Sequence, residues 1–156
     1  MNTPLKIVKA LFNEYKDINT SVKNINWGGC GIFAEQLYKT LLKLGIETKL
    51  AVITNDARQL KRRIKNKPYK NEPLVQHVVV RLGKKLIDSE GIYNKPKDIN
   101  FYYDNEIAPI PLAVLSKWNK KADFWKDYFN RKDIKTIKTK LAESRKKVKK
   151  DLVVSN

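Results

Sequence analysis

The run Gly28-Gly29-Cys30-Gly31, followed by Phe33, Leu37, Leu41 and Leu44, constrains this chain more than any other segment. A glycine-rich turn hands over to an amphipathic helix predicted from Gly31 to Leu44, with Ala34, Tyr38 and Leu42 alongside and Gly45 as its stop. Such a helix must bury its apolar stripe against a second layer. The β-branched and apolar run Thr48 to Thr54, directly after it, supplies one strand of that layer. Two further strands are predicted at 74–81 and 84–88, joined through Leu82-Gly83-Lys84-Lys85.

Helices are expected on both sides of this core. Leu5, Val8, Leu11, Phe12 and Tyr15 mark one from Pro4 to Asp17, and Leu115, Trp118, Ala122, Trp125 and Phe129 mark another within Leu112 to Phe129. The basic stretch 58–70 starts as a short helix and ends in a loop bounded by Pro68 and Pro73. Asn94 to Pro111 reads as turn-rich, with Phe101-Tyr102-Tyr103 a short extended or buried piece. A chain of 156 residues holds one ordinary domain. The expected fold class is α+β: a Cys-bearing helix on a small antiparallel sheet, plus N- and C-terminal helices. The domain spans 1–130, and 131–156 forms a basic helical or flexible extension with Ile134, Ile137, Leu141 and Val148 as a thin apolar stripe.

The only cysteine is Cys30 and the only histidine is His77, which lies within the strand-like run Val75-Gln76-His77-Val78-Val79-Val80. Unpaired N–H groups at a helix start favour a thiolate over a thiol. A nucleophilic thiol also needs a base and a third group that fixes the base. Asp88 is the candidate for that third group. If Gly83-Lys84 is a two-residue turn, paired positions place Asp88 opposite Val79 and on the face of His77. The expected arrangement has Asp88 accepting Nδ1–H, with Nε2 toward Cys30. Candidate oxyanion amides are Asn24, Asn26 and Gln76, beside the backbone N–H of Cys30. Trp27 would wall a substrate cleft, and Gly28, Gly29 and Gly31 would let an acyl group approach the backbone. Taken singly, each residue has an ordinary alternative: a buried small hydrophobe for Cys30, a core histidine for His77, a turn residue for Asp88.

Gly28-Gly29-Cys30-Gly31-Ile32-Phe33-Ala34 opening a helix, His77-Val78-Val79-Val80 on a strand, then Leu86-Ile87-Asp88-Ser89-Glu90-Gly91 together resemble the papain-like cysteine peptidase superfamily in its compact form, which includes NlpC/P60-type and transglutaminase-like members. The resemblance covers about residues 27–92. It implies catalytic Cys30, His77 and Asp88 acting on a peptide, isopeptide or amide bond of a peptide or protein through a Cys30 thioester. That chemistry needs no metal or organic cofactor. Deamidation and transglutamination belong to the same chemical range.

The net charge of +17 is concentrated in two places. Residues 58–70 hold seven basic side chains and no acid, among them Arg58, Lys61, Arg62, Arg63 and Lys65. Residues 131–150 hold ten basic and two acidic ones, including Arg145, Lys146 and Lys147. These segments suit nucleic acid or another polyanion. A competing reading follows: a basic nucleic-acid-binding or interaction protein whose Cys-His pair is structural. Solvated lysine-rich surface is the plainer alternative, and the excess of Lys over Arg is what AT-rich coding sequence produces, as in many phages and low-GC bacteria. A single cysteine excludes an internal disulfide and makes a reducing compartment, the cytoplasm, the expectation. No signal peptide, Walker loop, paired CxxC, HExxH or membrane-spanning stretch is evident in the sequence.

Overall fold

The computed structural model describes residues 3–25, 29–66, 74–101, 103–121 and 129–155. In chain order the elements are α1 (Thr3–Tyr15), α2 (Ile18–Ser21), α3 (Cys30–Lys43), β1 (Lys49–Thr54), α4 (Ala57–Asn66), β2 (His77–Leu82), β3 (Lys85–Ile87), β4 (Ile92–Tyr93), α5 (Pro96–Ile99), β5 (Glu106–Pro109), α6 (Leu112–Lys120) and α7 (Arg131–Ser155). The class is α+β, with a five-stranded antiparallel sheet in the order β4-β3-β2-β1-β5.

Both faces of the sheet centre are covered, and the two-residue alternation of a strand divides the side chains between them. Leu50, Val52, Val78, Val80 and Ile87 join one core with Phe33, Leu37 and Leu41 of α3 and with Leu11, Leu60 and Leu115 from α1, α4 and α6. Ala51, Ile53, Val79 and Leu86 face the other way and pack with their cross-strand neighbours Tyr93 and Ile107 and with Ile99 and Tyr103. The covering residues Ile99 and Tyr103 come from the segment that carries α5 and precedes β5, where a sheet packed on one side only would show polar residues.

The hairpin β2-β3 has the expected register: Leu82 pairs with Lys85, Arg81 with Leu86 and Val80 with Ile87. Gly83 adopts φ 58°, the left-handed conformation that a two-residue hairpin turn demands. β5 lies within the stretch read as turn-rich. Pro109 cannot donate to a ladder, which masks the strand in sequence, but β5 is an edge strand and pairs only with β1. The helix expected over Leu112 to Phe129 ends at Lys120, where Lys121 turns extended (φ −88°, ψ 107°). Ala122 and Trp125 lie outside the described residues. Of the aromatic piece, Phe101 is exposed and Tyr103 half-buried, while Tyr102 is outside the description.

The segment expected as a C-terminal extension is a helix over Arg131–Ser155 that packs on α1 and α3. Its Ile137, Leu141 and Val148 belong to the same core as the rest of the chain. Asn130 and Asp133 exchange side-chain-to-backbone bonds of 2.9 and 3.0 Å and so cap its first turn. Lys140 and Lys147 on its flanks reach Asp17 (2.8 Å) and Glu14 (3.2 Å). No helix among the described residues is long and apolar enough to cross a membrane.

Candidate active site

Cys30 opens α3, and the residue before it, Gly29, offers no side-chain cap. The first N–H groups of that helix therefore lack side-chain acceptors, and that of Gly31 favours the anionic form of the Cys30 sulfur. The Val78 N–H favours the same anion. Strand alternation explains why Val78 is available. Bonded pairs in the hairpin recur every second residue, Leu82↔Lys85 then Val80↔Ile87, so the next would be Val78↔Ser89. β3 stops at Ile87, and the Ser89 carbonyl instead accepts Asn19 Nδ2 at 2.7 Å. The vacated side of β2 is where the thiol sits.

His77 is fully buried at the start of β2. Its Nε2 lies 3.0 Å from Asp88 Oδ2. Nδ1 makes no well-formed hydrogen bond and is the nitrogen left to act on Cys30. The ring is thus turned over relative to the sequence expectation, which gave Nδ1 to Asp88. The cause is the early end of β3: Asp88 stands beyond the ladder, so the far nitrogen reaches it. The near nitrogen remains beside the strand start, where Cys30 is.

Asp88 is held on all sides. Its Oδ1 accepts the N–H groups of Glu90 (2.8 Å) and Gly91 (2.9 Å), an Asx-type turn. Its own N–H donates to the Gly91 carbonyl at 3.1 Å, and the Tyr15 hydroxyl donates to its carbonyl at 2.8 Å. Tyr15 and Asn19, from α1 and the short α2, thereby fix a loop some seventy residues away in sequence. Tyr103 stacks on the imidazole, with ring centroids 5.6 Å apart and planes at 27°.

The electrostatics follow from these contacts. Burial raises the Cys30 thiol, but the nearness and charge of His77, helped by the backbone N–H groups of Val78 and Gly31, outweigh it and leave the pKa lowered. Burial lowers His77, but the Asp88 bond and then the Cys30 contact push it up to about 9. Both shifts run in the direction that favours the charged forms, thiolate and imidazolium. Burial, followed by the charges of Cys30, Asp88 and Glu90, raises the Tyr103 phenol to about 12, so Tyr103 stays neutral. Burial also raises Tyr15 well above its ordinary value, with the Asp88 charge second.

The other sequence candidates are distributed differently. Asn24 is exposed in a left-handed turn (φ 65°), and its carbonyl accepts the Gly29 N–H. Asn26, Trp27 and Gly28 lie outside the described residues. Gln76 is committed to Asp104, donating from Nε2 to Oδ2 at 2.9 Å and accepting the Asp104 N–H at 3.2 Å; this ties down the loop that carries Tyr103. Gly29 and Gly31 are filled by the chain itself. A Cβ at Gly29 would stand 2.1 Å from Phe129 Cζ, and one at Gly31 would stand 2.8 Å from Asn119 Oδ1 and 3.3 Å from Leu115. Gly29→Ala is therefore expected to lower stability by about 1–3 kcal/mol in urea denaturation. Adding Phe129→Ala should recover part of the loss attributable to the clash, giving a double change milder than the sum of the two.

Arg58, Lys61, Arg62, Arg63 and Lys65 lie on α4, and Arg145, Lys146 and Lys147 on α7, so the two basic groups occupy separate helices. Among the described residues no group of three or more His, Cys, Asp or Glu is placed to hold a metal ion. Tyr15, Asn19, Tyr103 and the Val78 N–H are the members of the site that sequence reasoning missed. Only Tyr15 carried a signal, a hydroxyl-bearing residue on an otherwise apolar helical stripe. Protein-family models, curated proteins and solved structures yield no match to this chain.

Proposed function

We propose that this protein is a thiol-dependent hydrolase or acyltransferase that acts on an amide, peptide or isopeptide bond of a peptide or protein through a Cys30 thioester. The observation that carries the reading is the linkage of a partly exposed Cys30 at a helix start to a buried His77 held 3.0 Å from Asp88. A histidine kept only for packing has no need of a fixed carboxylate on one nitrogen and a thiol at the other.

The steps follow from the charges. The thiolate attacks the carbonyl carbon, and the developing oxyanion is met by N–H groups at the start of α3, that of Cys30 foremost. His77, protonated on Nδ1, gives its proton to the leaving nitrogen, so an amine departs and the thioester remains. Water or a second amine then loses a proton to Nδ1 as it attacks the thioester, and the thiolate is released. The Asp88 carboxylate, 3.0 Å from Nε2, stabilises the imidazolium. A persistent free thiolate suits a reducing compartment, and we place the protein in the cytoplasm on that ground.

An activated nitrophenyl ester tests this directly. The expected result is a burst of nitrophenolate approaching one equivalent, with the acyl group found on Cys30 by mass spectrometry and released by hydroxylamine. Cys30→Ser should abolish both. No burst, together with Cys30 alkylation no faster than in urea-unfolded protein, overturns the proposal.

A further inference from the structure

The outer face of α7 is the strongest unassigned feature of the molecule. Lys132, Lys135, Lys138, Lys146, Lys149 and Lys150 are all exposed. At about 100° per residue they share roughly a third of the helix circumference, opposite the buried Ile137, Leu141 and Val148. They span about 27 Å of axis. Among the described residues none of the six is ion-paired, whereas Lys140 and Lys147 on the flanks are. The helix contains three acids. Asp133 is used in the N-terminal cap, Glu143 sits at the rim of the arc and Asp151 lies outside it.

We infer that this arc is a binding surface for the phosphate backbone of double-stranded nucleic acid. Two clusters of exposed ammonium groups on one face, Lys132, Lys135 and Lys138 and then Lys146, Lys149 and Lys150, about two helical turns apart, condense against a polyanion and release its counterions. The length matches about eight base pairs of duplex axis. An acidic lipid surface is the weaker fit. Stable membrane attachment by a basic helix uses an apolar face that enters the interface, and the apolar face of α7 is already buried against α1 and α3. Among the described side chains of α7, Val153 is the one exposed large hydrophobic residue. The arc presents lysines as point charges, with no Asn or Gln fork to read base edges, so the binding is independent of sequence.

The test uses the full-length protein and a short labelled DNA duplex of mixed sequence, with binding followed by fluorescence anisotropy as KCl rises from about 50 to 200 mM. The expected log–log slope is about −5. Changing Lys135, Lys138, Lys146 and Lys149 together to Gln should make the slope shallower by about 4 and weaken low-salt binding more than tenfold, with the circular dichroism unchanged. Each single Lys→Gln change should reduce the slope by about one, which covers the case of a misfolded quadruple variant. Arg58→Gln, Lys61→Gln and Arg62→Gln on α4 should leave the affinity within about twofold. The proposal is overturned by no binding at low salt, by a loss that follows α4 rather than α7, or by a preference for phosphatidylserine vesicles over the duplex. It is independent of the thiol chemistry, which Cys30→Ser removes without touching the arc.

Discussion

His77→Ala should slow alkylation of Cys30 by iodoacetamide at pH 7 by at least about tenfold, and should move the midpoint of the rate–pH profile upward. In the native site, burial raises the thiol pKa and the imidazolium overrides it. Removing the imidazole leaves burial opposed only by the N–H groups of Val78 and Gly31, so the thiol titrates higher. Below the pKa, each unit of increase costs a factor of ten in thiolate. The greater intrinsic nucleophilicity of a more basic thiolate returns less than half of that on a logarithmic scale. The sign at the alkaline end is equally definite: any step that needs the imidazolium as acid should fall away as pH rises through about 9. Alanine also opens space beneath Tyr103, and a change in access alone would scale the whole profile without moving its midpoint. A profile that keeps its wild-type midpoint in His77→Ala would show that the histidine does not set the charge of the thiol.

Which parts of this site could be read from sequence has a physical explanation. The juxtaposition of His77 with Asp88 depends on a hairpin register, and register is local: Gly83-Lys84 and the two-residue period of the strands determine it. Cys30 at the head of α3 is local in the same way, since glycines and a helical stripe mark the boundary. What is not local was hidden. The Tyr15 hydroxyl on the Asp88 carbonyl joins residues 73 apart in sequence, and Asn19 to the Ser89 carbonyl joins residues 70 apart. No periodicity encodes either contact. The ring orientation of His77 depends on where β3 stops, a single residue's difference that propensity does not resolve. Gly29 and Gly31 carried a misleading signal. Small residues beside a thiol suggest room for a substrate, but the same absence of side chains lets Phe129 and α6 approach the backbone. β5 was obscured by Pro109 and Pro111, which argue against a strand except at an edge, and edge position is a property of the assembled sheet.

Asp88→Ala should be the most destabilising single change at the site, about 3–5 kcal/mol in urea denaturation. It removes a carboxylate that is 3% exposed and bonded to an imidazole with no exposure at all, which strands a buried charge or forces it to neutralise. It also strips the acceptor from the N–H groups of Glu90 and Gly91, and so loosens the turn that Tyr15 and Asn19 hold from the other side. Asp88→Asn separates scaffold from charge. The amide oxygen can still accept both N–H groups, and its NH2 can donate to Nε2, so the fold should lose only about 1 kcal/mol. Nε2 then becomes an acceptor, the proton of a neutral ring moves to Nδ1, and the carboxylate that raised His77 is gone. The thiol accordingly regains a higher pKa, and thiolate absorbance near neutral pH should fall well below that of the native protein while the urea midpoint barely moves. If Asp88→Asn keeps the native thiolate titration, Asp88 acts only by holding its turn, and the charge of the Cys30–His77 pair is set without it.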